Sequence, residues 1–471
     1  MAEASLLDRS RIVAGPGFNR WLIPPAALAI HLAIGQAYAF SVFKNPLMSL
    51  LSHDVDHPAP DDWTAGQVGW IFSIAIVLLG LSAAVFGTWL ERVGPRKAML
   101  ASALCFAGGF FIGSYGVHIH SLPLLYFGYG VVGGIGLGIG YISPVSTLIK
   151  WFPDRPGVAT GMAIMGFGGG AMIASPLSLT LMNQFKNASD NGVAATFIAL
   201  GVIYLLFMQL GVWTIRVPAE GWRPAGYVPA ANHNEMITTG NVLASQAIKT
   251  PQFWLLWVVL CMNVTAGIGI LETASPMIQE IFSDKVLGAG RGITAAAAGG
   301  FVGLLSLFNL LGRFFWSSAS DKIGRKRIYL IYFGLGIVLY ALLPTLGRNA
   351  SLALFVVACC LILSMYGGGF STMPAFLSDL FGKKEVGAIH GRVLTAWSTA
   401  GVLGPLLVNY LHENAKAKQL EGAAAFQNVF YTMAGLLVVG FIADLLIRAV
   451  NDKYFVHETV TRAQAEAAPA H

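Results

Sequence analysis

Arg313 stands inside the apolar run 292–318, eight positions before Asp321 in the next polar loop. On a helix that separation places it roughly 12 Å from the loop. An arginine at such a depth in a membrane costs at least about 2.5–3.5 kcal/mol on insertion scales. One reading is chemical: the guanidinium faces the protein interior and takes a carboxylate in a bidentate pair. Because arginine keeps its proton at physiological pH, only an anion answers it. The competing reading is a snorkelling side chain whose stem lies along the helix and whose head reaches the interface. Asn309 lies one turn earlier on the same face.

Two further ionisable residues stand in apolar surroundings. Glu272 is 21 positions beyond Pro251, about 31 Å along a straight helix. It is expected near the far mouth, just before a break at Pro276, as a vestibule carboxylate or a proton carrier. His31 lies about 16 Å into the first apolar run and one heptad from Tyr38. It reads as a proton relay or as a hydrogen-bonded packing histidine. Arg392, near a polar boundary, reads as an interfacial anchor, and Asp444 with Arg448 as an i,i+4 pair. Gly134, Gly136, Gly138 and Gly140 follow no strand and read as a helix-packing face rather than a nucleotide loop. His53, Asp54, Asp56 and His57 read as a solvated loop. No metal and no cofactor is expected, and no nucleophile–base set suggests an enzyme.

The elements that must position these residues are membrane spans. Of 471 residues, 55% are hydrophobic and 11% charged, against roughly a quarter charged in soluble domains. The mean hydropathy is +0.66. About 20 apolar residues cross a bilayer as a helix. Twelve runs meet this: 20–43, 66–90, 98–117, 122–149, 158–182, 193–215, 251–282, 292–318, 328–346, 351–377, 389–411 and 425–449. With both termini inside, 20 of the 29 Lys and Arg fall on the cytoplasmic side and seven on the other. That rule also accounts for the net charge of +6 without a nucleic-acid partner. No removable signal peptide is read, and the four cysteines form no disulfide or metal pattern.

The chain repeats itself. The loop after the second run holds Glu91, Arg92, Gly94, Arg96 and Lys97; the loop after the eighth holds Asp321, Lys322, Gly324, Arg325, Lys326 and Arg327. Glu91 and Asp321, Gly94 and Gly324, Lys97 and Arg327, Pro144 and Pro374, and Gly161 and Gly391 are each 230 residues apart. The expected architecture is therefore an all-α membrane protein of two homologous six-helix halves around a central cavity. Its parts are an arm (1–19), a first half (20–215), a cytoplasmic linker (216–250), a second half (251–449) and a tail (450–471).

The acidic-basic-x-Gly-x-basic-basic loop in each half resembles the signature of the major facilitator superfamily. Gly35 to Phe43, Asn309 to Arg313, Tyr366 to Phe370 and Gly387 to Arg392 resemble the oxalate/formate antiporter family and, more distantly, the monocarboxylate transporters. The resemblance implies a secondary transporter working by alternating access in the cell (inner) membrane, each chain with its own pathway. It implies that Arg313 binds substrate carboxylate and that Tyr38, Tyr141, Tyr366 and Trp397 lie in cavity-lining stretches, beside Asn309. The monocarboxylate transporters carry Asp where Asn309 stands, so Arg313 is expected to lack that local partner. Oxalate-specific members add a lysine in the eleventh span, and Val393 to Tyr410 holds none. A small monocarboxylate (lactate, pyruvate or formate class), moved by proton symport or anion exchange, is thus favoured over oxalate/formate-type exchange. A non-transporting receptor on the same scaffold is the remote alternative. The motif loops are expected to stabilise one conformation through charge pairs between the halves, their cations being too superficial to bind substrate.

Overall fold

The structure is a computed structural model that describes residues 6–52, 57, 59–187, 190–227 and 236–456. Residues 53–56 of the His53–His57 loop lie outside the described residues. Twelve long helices follow the apolar runs. The first half holds α1 (Arg20–Leu47), α2 (Ala65–Val93), α3 (Pro95–His118), α4 (Leu122–Trp151), α5 (Pro156–Phe185) and α6 (Val193–Thr214). The second holds α7 (Pro251–Ile281), α8 (Ala295–Ile323), α9 (Arg325–Arg348), α10 (Leu352–Phe381), α11 (Val386–Val393 and Thr395–Ala417) and α12 (Ala423–Leu446). Among the described residues, all but α11 are single runs long and apolar enough to cross a membrane. Leu206, Val85 and Leu354 stay largely exposed on the outer wall, where lipid rather than water meets them.

Local chemistry sets the helix ends. Thr64 and Gln67 form a capping box at the start of α2, and Thr294 caps α8. Gly94 and Gly324 adopt φ of 88° and 97°, a region that favours glycine, and so turn α2 into α3 and α8 into α9. Proline does not end α7: the helix runs through Pro276 to Ile281, correcting the expected break. Three helices are irregular instead. α1 tightens to a 3-10 helix over Gly35–Phe43, α4 is π-helical over Tyr126–Gly133, and α11 is interrupted at Leu394. Irregular backbone at membrane depth is tolerated where it is enclosed by protein or lines a cavity.

The halves meet where α5 packs along α8 and α2 along α11. The two motif loops close one end of this seam reciprocally. Asp321 accepts hydrogen bonds from the backbone N–H groups of Gly157 and Val158, both at 2.9 Å, in the first turn of α5. Glu91 accepts one from Gly387 N–H at 3.1 Å, in the first turn of α11. Gly157 and Gly387 are themselves 230 residues apart, so each contact is the repeat of the other. A carboxylate at a helix N-terminus meets unpaired N–H groups and the positive end of the helix dipole. The expected charge pairs between the halves are therefore corrected to carboxylate–backbone contacts. The ion pairs seen at these loops do not cross between the halves: Glu91 with Lys150 at 2.5 Å, Lys97 with Asp8 of the arm at 2.5 Å, Asp321 with Arg325 at 2.5 Å, and Arg325 with Asp379 at 3.1 Å.

Several of the loop cations are held at helix ends. Arg96 is buried and donates to the carbonyls of Val212 and Trp213 at the end of α6, at 3.1 and 3.2 Å. Its repeat, Lys326, donates to those of Leu445 and Ile447 at the end of α12, at 2.8 and 2.7 Å. Arg325 is buried as well, while Arg92, Lys322 and Arg327 are exposed. Asp444 does not pair with Arg448. The chain leaves helical geometry at Ile447, which removes the i,i+4 register, and Asp444 is buried with both oxygens unpartnered.

Asp321→Asn and Glu91→Gln should each lower the thermal unfolding midpoint in detergent, by the equivalent of roughly 1–2 kcal/mol. Gly157→Val should do more, because even a Cβ there would stand 2.1 Å from the Ser317 carbonyl oxygen. Unchanged midpoints in all three would show that the reciprocal contacts contribute nothing to stability.

Candidate functional site

Arg313 is fully buried at the seam, with 0% exposure. Its side chain runs back along α8, away from the motif loop, so that Nε donates to Asn309 Oδ1 at 3.0 Å. Long helical side chains lean toward the N-terminus in this way, and here it brings the guanidinium inward rather than to an interface. Nη1 donates to the carbonyl of Ile164 in α5 at 3.4 Å. The Phe167 and Phe370 rings lie 5.8 and 5.2 Å from the guanidinium carbon, a cation–π arrangement. Arg313 Nη2 has no hydrogen-bond partner. Among the described residues no ion pair between Arg313 and a carboxylate appears. The partner that Asn309 supplies on the preceding turn is thus a neutral amide in place of a carboxylate. Gly367 of α10 allows the approach: a Cβ there would stand 2.2 Å from the Asn309 carbonyl oxygen and 3.1 Å from Arg313 Cγ.

The other predicted lining residues gather around this group from both halves. The Tyr38 hydroxyl, on the 3-10 stretch of α1, hydrogen-bonds that of Tyr366 on α10 at 3.1 Å. Tyr38 and Tyr141 both interact with the Arg313 guanidinium electrostatically. Tyr141 of α4 is fully buried, and its hydroxyl has no well-aligned hydrogen-bond partner. Trp397, just past the interruption in α11, packs on Phe370, Phe167 and Tyr141 with ring centroids 4.5, 5.3 and 5.4 Å apart. Aromatic rings in edge contact of this kind exclude water and leave few orientations open.

His31 is buried beside Tyr141, its ring 5.3 Å away. Its two nitrogens face carbonyl oxygens of two other helices, Nδ1 with Ala163 at 2.6 Å and Nε2 with Tyr141 at 3.1 Å. A neutral imidazole donates to one of these; only the protonated ring donates to both. The Glu272 side chain lies outside the described residues. Arg392 is drawn away from the site, its Nη1 donating to the carbonyl of Ala244.

Three residues of the site escaped the sequence reading. Phe370 and His390 lay inside two of the stretches that carried the family resemblance, which was the available signal. Phe167 lies between Gly166 and Gly168 in a run that reads only as helix packing. His390 is buried, 5.8 Å from the Tyr141 ring, with neither nitrogen hydrogen-bonded.

A buried cation, tyrosine hydroxyls and an aromatic wall thus come together from both halves. The sequence profile of the Major Facilitator Superfamily matches residues 17–306 and 281–470. The chain belongs to this superfamily. It is a multi-pass membrane transporter of that family. It is 27% identical to the oxalate:formate antiporter of Oxalobacter formigenes over 82% of this chain and 83% of that one. It is 26% identical to apicoplast pyruvate carrier 1 of Toxoplasma gondii over 71% and 67% of the two chains. The structure of the proton:xylose symporter XylE matches with a TM-score of 0.67, covering 92% of this chain and 95% of its own at 15% identity, a likeness of fold alone.

Gly367→Ala should destabilise the transporter by about 1–3 kcal/mol through overpacking against α8, read as a lowered unfolding midpoint. Gly435→Ala, on α12 with open space around its Cβ, is the matched control and should be neutral or slightly stabilising.

Proposed function

We propose that this transporter carries small monocarboxylates of the lactate, pyruvate or formate class, with Arg313 binding the carboxylate. The observation that carries the reading is the fully buried guanidinium with Nη2 unpartnered and no carboxylate paired to it among the described residues. An uncompensated buried charge is costly. A substrate carboxylate supplies the missing counter-charge and a bidentate geometry that chloride does not match. Tyr38, Tyr141 and Tyr366 offer hydroxyl donors, Asn309 orients Nε, and the rings of Phe167, Phe370 and Trp397 keep water out.

The halves, 20–215 and 251–449, rock about this site in alternating access, joined by the 216–250 linker, with both termini cytoplasmic. The reciprocal Asp321 and Glu91 contacts hold the cytoplasmic end closed in this conformation. His31, between carbonyls of α5 and α4, and Glu272 are the candidate proton-linked residues. Each chain works alone.

The named activity of the Oxalobacter relative supports a second reading, oxalate/formate-type exchange. Against it stands the single buried cation at the site, since Arg392 is bound to the Ala244 carbonyl and offers nothing to a second carboxylate.

Proteoliposomes should take up labelled lactate, pyruvate or formate, faster with an inward proton gradient. Arg313→Ala and Arg313→Lys should each cut uptake at least about a hundredfold while expression holds, as expected for removal of a buried charge-assisted bidentate contact. Normal uptake by both variants would sink the assignment. His31→Gln should retain exchange of internal for external substrate and lose the stimulation by the gradient. Uptake that ignores the gradient and requires internal oxalate or formate would favour the exchanger.

A further inference from the structure

The carboxylate reading employs Arg313 and the tyrosine hydroxyls, and it leaves the buried indole of Trp397 without a role. Trp397 has 0% exposure, and its indole Nε1 makes no hydrogen bond. An indole N–H can only donate, and a buried tryptophan normally places it against an acceptor. Other tryptophans among the described residues follow this: buried Trp151 donates to the Arg216 carbonyl at 2.8 Å, and half-buried Trp257 and Trp316 donate to Thr395 at 2.9 Å and Ser364 at 3.1 Å. Trp397 is the exception, and it stands at the site. Phe167 and Phe370, the rings it packs on, are the same two that flank the Arg313 guanidinium. Tyr141, also in contact with it, carries a hydroxyl with no well-aligned hydrogen-bond partner. Filling the space alone would require only a ring.

The geometry points to Trp397 as a specificity-determining residue whose Nε1–H donates to a second substrate oxygen, on the carbon beside the carboxylate. The inference rests on the Arg313 reading and narrows its substrate class to 2-oxo and 2-hydroxy monocarboxylates. The donor is neutral, so it suits a keto or hydroxyl oxygen and adds no charge to balance a second carboxylate. Propionate, with a methylene in that position, leaves the N–H desolvated and unpaired. Formate lacks the carbon altogether. Sites built to hydrogen-bond a substrate oxygen discriminate strongly against analogues without it.

The test is thermal stabilisation of the purified full-length protein by pyruvate, L-lactate, propionate, formate and oxalate, converted to apparent Kd values. It is repeated with Trp397→Phe, which keeps an aromatic ring and removes the donor. Pyruvate and lactate should bind wild type at least about tenfold more tightly than propionate or formate. In Trp397→Phe that gap should close through weaker pyruvate binding, with propionate changed less than about twofold. Equal binding of pyruvate and propionate to wild type overturns the inference, as does a gap that survives in the variant. Oxalate binding most tightly overturns it too, because a neutral donor then does not set the choice. Should Trp397→Phe fail to fold, the wild-type series decides between these outcomes. If every monocarboxylate binds equally and Arg313→Ala abolishes all binding, this inference fails alone; if no acid stabilises the protein, the carboxylate reading fails with it.

Discussion

A guanidinium cannot shed its charge, and this chain has enclosed one where water does not reach. That constraint orders its surroundings. A glycine on α10 lets the helix carrying Arg313 come close, an amide on the preceding turn takes one N–H, and two phenyl rings lie against the cation. None of these groups is anionic. Neutral partners hold the arginine in position and leave its electrostatic demand unmet, unlike a structural buried ion pair. Had Asn309 been an aspartate, the same hydrogen bond would have come with a competing counter-charge.

Around this centre two of the three irregular helices bring side chains to the site, while α5, α8 and α10 reach it as regular helices. The 3-10 stretch of α1 carries Tyr38, and the interruption of α11 at Leu394 falls between His390 and Trp397. Backbone groups freed from a helix ladder need other partners; at Leu394 the next turn resumes at once, with Trp397 N–H donating to the Leu394 carbonyl at 2.9 Å. The irregular segments therefore redirect side chains without leaving open backbone facing lipid.

Much of this was legible in the sequence. Apolar runs of bilayer length located the spans, the recurrence at 230 residues gave the two halves, and Arg313 was conspicuous because arginine is so costly there. What was not legible follows from what sequence patterns encode. The cross-half partners of Asp321 and Glu91 are backbone amides at Gly157 and Gly387, which carry no charge to advertise them. Charge patterns instead suggested ion pairs between the halves, and those formed inside each half. Asp444 and Arg448 had the right spacing for a helical pair, but spacing says nothing about where the helix stops. The α11 interruption has neither proline nor glycine at Leu394, and α7 passes through Pro276 unbroken, so the usual punctuation misled in both directions. Phe167 stands between two glycines with no motif to mark it.

The reciprocal contacts at the motif-loop end make each half both donor and acceptor of the same kind of grip: Asp321 on α5, Glu91 on α11. Two copies of one unit that meet through a patch and its own complement form an isologous dimer, here written on a single chain. In a true dimer one substitution alters both contacts together and the symmetry is never lost. Fusion removes that tie. The two contacts have already diverged, with Asp321 taking two amides and the Arg325 guanidinium, and Glu91 one amide and the Lys150 ammonium. A molecule that began as a balanced clasp can thereby acquire a stronger side and a weaker one, and so a preferred side from which to open.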